Sequence, residues 1–116
     1  MSTKSEIELF LQQLKSKTLV YEIVFRPRGK NNDSIAALDI LPKDRVDYIK
    51  NLKVEDYFAG PTKDTDDPKR PDYYEFGIVV KGQEVYIKIS IGLLNKPIDC
   101  MSFHTAEWPI RYPFKI

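Results

Sequence analysis

The chain holds one histidine, His104, at the close of an alternating run, "IDCMSFH". Two further alternating runs lie upstream, "YYEFGIVV" and "VYIKISI". Successive side chains of a strand point to opposite faces. The runs therefore sort into two faces. One is apolar: Tyr74, Phe76, Ile78 and Val80, then Val85, Ile87, Ile89 and Ile91, then Met101 and Phe103. The other carries Glu75, Gly77 and Val79, then Tyr86, Lys88 and Ser90, then Cys100, Ser102 and His104. Antiparallel partners lying opposite each other share a face. A slip of one residue would expose the isoleucines, so the pairing puts Tyr86 opposite His104 and Lys88 opposite Ser102. Glu75 approaches Lys88 diagonally. The second face thus gathers proton donors and acceptors around one fixed positive charge. Cleavage of RNA by its own 2'-hydroxyl needs such a kit: a base, charge for the phosphorane oxygens, and an acid for the leaving oxygen. It needs no metal and no cofactor. The competing reading is that any amphipathic sheet carries polar residues on its wet face.

The elements that would position these residues are legible upstream. Thr3 and Glu6 have capping-box spacing, and Ile7, Phe10, Leu11 and Leu14 follow at helical spacing. This predicts a helix from about Lys4 to Ser16. "TLVYEIVF" reads as a strand ended by Arg26-Pro27-Arg28-Gly29. "NNDSIAALDI" offers capping residues and a short helix ending near Leu38. Pro42 suits the first turn of another helix, with Val46, Ile49 and Leu52 on its apolar side. "KVEDYFAGP" reads as one more helical turn closed by Gly60-Pro61, followed by a polar loop. Lys81-Gly82-Gln83-Glu84 is a hairpin loop. Helices first and strands last predict an α+β fold, with the helices packed on one face of an antiparallel, meander-like sheet.

The bulk of the sequence agrees with one domain over residues 1–116. It is 42% apolar and 30% charged, a soluble globular composition. One cysteine excludes an internal disulfide and a structural zinc site. Charges interrupt the apolar positions of the first residues, unlike a signal peptide. No apolar run approaches the ~20 residues of a membrane span. These points predict a cytoplasmic protein with no membrane partner.

A net charge of +1 neither requires nor excludes nucleic acid. Clustering matters more. Arg26, Arg28 and Lys30 form a basic patch in "FRPRGKNND" and are candidate phosphate contacts. Lys63 and Arg70 are further candidates, but they sit among aspartates in "PTKDTDDPKRP", which also reads as a solvated loop. Cys100 reads as a small packed residue rather than a nucleophile. Trp108, Tyr112 and Phe114 read as aromatics that pack onto the sheet or helices. Pro109 and Pro113 keep that tail out of a helix and out of a central strand.

The stretches "GQEVYIKISI" and "CMSFHTAEWPIRYPF" resemble the motility quorum-sensing regulator family of mRNA interferases, which have the RelE-like fold. That family closes on a Tyr-Leu-Lys-Ile strand, a turn, and a strand ending Ser-Phe plus a basic residue. Here those positions are Val85-Tyr86-Ile87-Lys88-Ile89 and Met101-Ser102-Phe103-His104. "LKVEDYFAGPTKD" is similar to the family's helix with Asp-Phe-Tyr and its loop. The resemblance spans about Leu52 to His104. It implies the toxin of a type II toxin-antitoxin system, an endoribonuclease acting on mRNA and held by a cognate antitoxin protein. Tyr86 matches the family's active-site tyrosine. His104 stands where the family usually has lysine; histidine is a better proton shuttle near neutral pH but a weaker fixed charge. Tyr86 would orient or deprotonate the 2'-hydroxyl, Lys88 stabilise the phosphorane, and His104 protonate the leaving oxygen. Two alternatives stand beside this: a non-catalytic RNA- or protein-binding module using the same sheet face and aromatic tail, and a toxin relative that has lost activity.

Overall fold

A computed structural model of the chain describes residues 2–115. Helix α1, Lys4–Lys17, starts at the expected capping box: the Glu6 amide donates to the Thr3 hydroxyl (3.2 Å) and the Thr3 amide to the Glu6 carboxylate (2.9 Å). It buries Ile7, Phe10 and Leu14 against the sheet. The expected strand over "TLVYEIVF" is cut to β1, Ile23–Phe25. The chain leaves α1 through backbone-bonded turns at Leu19, Val20 and Tyr21, which leave Leu19 and Val20 exposed. The reason is the partner. β1 pairs in parallel with the last strand, β5 (Ile98–Thr105), and Ile23 already faces the first residue of β5. Before Ile23 only the Glu22 carbonyl meets the ladder, accepting from the Ile98 amide (3.0 Å).

Helix α2, Gly29–Leu38, begins ahead of the expected caps, and Asn31 is no cap at all. Its side chain is buried and reaches β5, donating to the carbonyls of Arg26 (2.9 Å) and Met101 (3.3 Å) and accepting from the Phe103 amide (3.1 Å). One turn on, the Ser34 hydroxyl accepts from the Thr105 amide (2.9 Å). β1 ends opposite Cys100, and beyond it Asn31 and Ser34 satisfy the edge of β5. A buried strand edge must find such partners. Helix α3, Asp44–Lys50, follows Pro42 and buries Ile49, with Leu52 just beyond.

The expected helical turn over "KVEDYFAGP" is a correction. Only Val54–Asp56 makes a 3-10 turn, and Tyr57–Thr62 is strand β2. β2 lies at the sheet edge, against β3 (Tyr73–Val80), with two register shifts. An edge position tolerates Pro61, which cannot donate to a ladder. β3 turns through Lys81-Gly82, both with positive φ, into β4 (Gln83–Ser90). Strand order is β1-β5-β4-β3-β2. β3 to β5 form the expected antiparallel meander, β2 extends it at one edge, and β1 adds one parallel pairing, so the α+β sheet is mixed. The buried apolar residues of helices and strands make one cluster, except Met101, which is buried at the register shift of β5 but lies outside the cluster rather than on the core face with Phe103 as expected. No helix among the described residues is long and apolar enough to cross a membrane.

The last strand overturns an expectation. Tyr86 pairs with His104 and Lys88 with Ser102, but the register shifts before Ile89, which meets Cys100. This bulge reverses the alternation. Ile98 and Cys100 join the core face, fully buried, while Asp99 turns outward to Arg26. Cys100 therefore does not share a face with His104. Burial pushes its thiol up to about 12. A disulfide-exchange reagent at pH 8 is expected to leave Cys100 unmodified in the native protein and to titrate one thiol in denaturant. Rapid native labelling would contradict this burial.

Candidate functional site

The bulge lies near the start of β5, away from His104, so the expected pairing survives where it matters. Tyr86 on β4 faces His104 on β5 directly and Glu75 on β3 diagonally, a bent row across three neighbouring strands. Glu75 lies directly opposite Lys88, not diagonal to it, and Tyr86 reaches diagonally to donate its hydroxyl to the Glu75 carboxylate. Burial first, and that bond second, raise the Tyr86 hydroxyl far above the ordinary tyrosine range. A tyrosine so held stays protonated. That bond and the upward shift favour the orienting role expected for it over the deprotonating one.

His104 sits beside Tyr86, ring centroids 5.4 Å apart. Its Nδ1 lies 2.9 Å from the Thr105 carbonyl oxygen. A carbonyl can only accept, so this contact assigns the proton to Nδ1. The free lone pair of the neutral ring is then on Nε2. The Phe103 and Thr105 amides on either side are held by Asn31 and Ser34. These two residues position His104. They escape a reading of the sequence because Asn and Ser before an apolar run look like caps.

The row opens into a cleft of about 310 Å³ lined by Phe58, Glu75, Tyr86, His104, Trp108 and Ile110. Its far wall is the segment after β5, which has no helix or strand and folds back over the sheet. Gly77 makes room for it: a Cβ there would collide with the Tyr112 side chain and lie 2.6 Å from Ile110 Cδ1. The Glu84 carboxylate fastens it, accepting from the Ile110 amide (3.0 Å) and the Tyr112 hydroxyl (2.8 Å). Phe114 packs on Tyr57, centroids 5.8 Å apart. Two of the three tail aromatics thus pack as expected. Trp108 does not; it is 79% exposed.

The basic candidates are dispersed rather than gathered at the cleft. Arg26 makes a two-pronged pair with Asp99 (3.2 and 2.7 Å). Lys30 pairs with Glu107, and Arg70 lies 3.6 Å from Asp64 and 3.5 Å from Asp67. Arg28 and Lys63 are exposed. Lys88 shares the face of the row but not the cleft lining; its ammonium lies 4.1 Å above the Tyr73 ring. Comparison with protein-family models, with curated proteins and with solved structures finds no match to this chain.

Proposed function

We propose that the chain is an endoribonuclease that cleaves mRNA by attack of the 2'-hydroxyl on the adjacent phosphate, with the cleft as its active site. The observation that carries this reading is the row Glu75–Tyr86–His104, which puts a carboxylate and an imidazole on either side of a locked hydroxyl donor. Glu75 and His104 come from strands two spacings apart and lie two residues out of line, about 12 Å at the backbone. That separation leaves room for a phosphodiester between them.

In this reading Glu75 takes the 2'-hydroxyl proton as the new O–P bond forms. His104, protonated on Nε2, gives its proton to the departing 5'-oxygen as that P–O bond breaks. Tyr86, its one proton given to the other Glu75 oxygen, orients that carboxylate, and Lys88, paired opposite Glu75, supplies a cation. The products are a 2',3'-cyclic phosphate and a 5'-hydroxyl, and no step calls on a metal or cofactor. The further assignment to a toxin with a cognate antitoxin rests on the resemblance of "EVYIKI" and "MSFH" to the interferase family.

The test uses purified protein, a long mRNA and EDTA. Wild type is expected to produce fragments with 5'-hydroxyl ends, and Glu75→Gln to cut about 10²-fold more slowly or worse. The amide introduced by that substitution keeps an acceptor for the Tyr86 hydroxyl, so the fold should persist. A Glu75→Gln protein as fast as wild type would end the base assignment.

A second reading has its own support. Arg26, Lys30 and Arg70 are already engaged by carboxylates, which weakens the pull on a polyanion. A non-catalytic module binding RNA or protein through the same face would bind without product. Deleting the tail after Glu107 would then weaken its partner.

A further inference from the structure

Trp108 is the only tryptophan of the chain, and the fold gives it no packing role. It lies outside the core cluster and is 79% exposed. Yet the chain around it is pinned on both sides. Glu107 before it pairs with Lys30 of α2. Pro109 after it has a fixed φ, and Ile110 and Tyr112 are fastened to Glu84 over Gly77. A large aromatic held in place but left in solvent, on the rim of a cleft, is available as a binding surface.

The lining selects the class of occupant. Phe58, Trp108, Pro109 and Ile110 give flat or apolar walls, and the polar groups are the carboxylates of Glu75 and Glu107 with Tyr86 and His104. Carboxylates accept N–H hydrogen bonds. A flat ring with N–H donors on its edge satisfies both walls and rim.

We infer that Trp108 is the stacking platform for one nucleobase of a single-stranded RNA, holding that nucleotide in the cleft beside Glu75 and His104. The choice of RNA rests on the function proposed above; the stacking role rests on the geometry of the cleft.

The experiment titrates the protein with a mixed-sequence 2'-O-methyl RNA octamer, which lacks the nucleophile and cannot be cut by this route. As the sole tryptophan, Trp108 reports binding by its emission. Saturable quenching is expected, with little or none from an abasic octamer of the same charge. The variants lose the emitting residue and are compared with wild type by the anisotropy of a fluorescein-labelled octamer; Trp108→Ala is expected to bind about 5- to 150-fold more weakly, the range for one stacked base. Trp108→Phe should bind within a few-fold of wild type, and both variants should keep the wild-type urea midpoint. Equal affinity of wild type and Trp108→Ala would overturn the stacking role, and so would equal quenching by the abasic octamer or tighter binding of a basic peptide than of RNA. Quenching by the octamer from a protein that cuts no unmodified RNA would uphold stacking and overturn cleavage. Unchanged affinity for Trp108→Ala in a protein that does cut RNA would do the reverse.

Discussion

His104→Ala is expected to cut RNA about 10²–10⁴-fold more slowly than wild type, the loss that follows removal of a positioned proton donor. The chain has no second histidine to stand in. His104 is partly exposed, and its one hydrogen bond recorded among the described residues is to the neighbouring Thr105 carbonyl. Stability should therefore change little. Thr105 accepts from Nδ1 whether the ring is neutral or charged, so that bond holds the ring through a full cycle of proton transfer at Nε2. His104→Lys separates two roles. Lysine restores a positive charge, as in the family the strand ends resemble, but its ammonium is a poor acid near neutral pH. Partial recovery near neutral pH, where the ammonium is charged but gives up no proton, would mean that charge dominates at this position. Wild-type cleavage by His104→Ala would remove His104 from the mechanism.

The largest effect on stability is expected at Phe76. It is fully buried on the core face of β3, between Phe10 (centroids 6.1 Å apart) and Tyr57 (6.2 Å). Truncation of a buried phenylalanine costs about 3–5 kcal/mol. That is a large share of the ~5–15 kcal/mol that holds a domain of ordinary stability together. Phe76→Ala should lower the urea midpoint by more than about 1 M, or leave the chain unfolded at 37 °C. Trp108→Ala, an even larger truncation, should move the midpoint hardly at all. The two variants together separate the aromatic residues that build the fold from the one the fold leaves free. A large loss of stability in Trp108→Ala would mean that the tail aromatic packs after all.

The pairing of Tyr86 with His104 is legible in the sequence because two apolar faces have to coincide, and only one parity of register allows that. The bulge is not. "IDCMSF" alternates acceptably in either phase, with Ile98 and Cys100 as apolar as Met101. What decides is the neighbouring strand: Ile98 and Cys100 pair with Ile23 and Phe25 of β1, and no pattern within β5 reveals that. β1 is shorter than its alternation suggests for the same reason, since its length is set by where β5 begins. Asn31 and Ser34 carry cap chemistry, but the same hydrogen-bonding groups serve a strand edge instead.

The basic residues teach the converse. Arg26 and Lys30 look like a patch because they are close in sequence, but their carboxylate partners, Asp99 and Glu107, are 73 and 77 residues away. Only Arg70 has local partners, Asp64 and Asp67, and only there does the sequence itself read as mixed charge. Large aromatics usually pack, which is why the sequence suggests that Trp108 does. Gly77 gives its contact surface to Ile110 and Tyr112, and the apolar contacts of the tail are used up before Trp108 can share them.

The most direct test of the proposed chemistry compares an unmodified RNA with the same RNA fully 2'-O-methylated, in EDTA, under a single turnover. Cleavage of the unmodified strand alone, leaving 2',3'-cyclic phosphate and 5'-hydroxyl ends, is the predicted result. Cleavage of the methylated strand, or 5'-phosphate ends, would contradict attack by the 2'-hydroxyl and with it the roles given to Glu75 and His104.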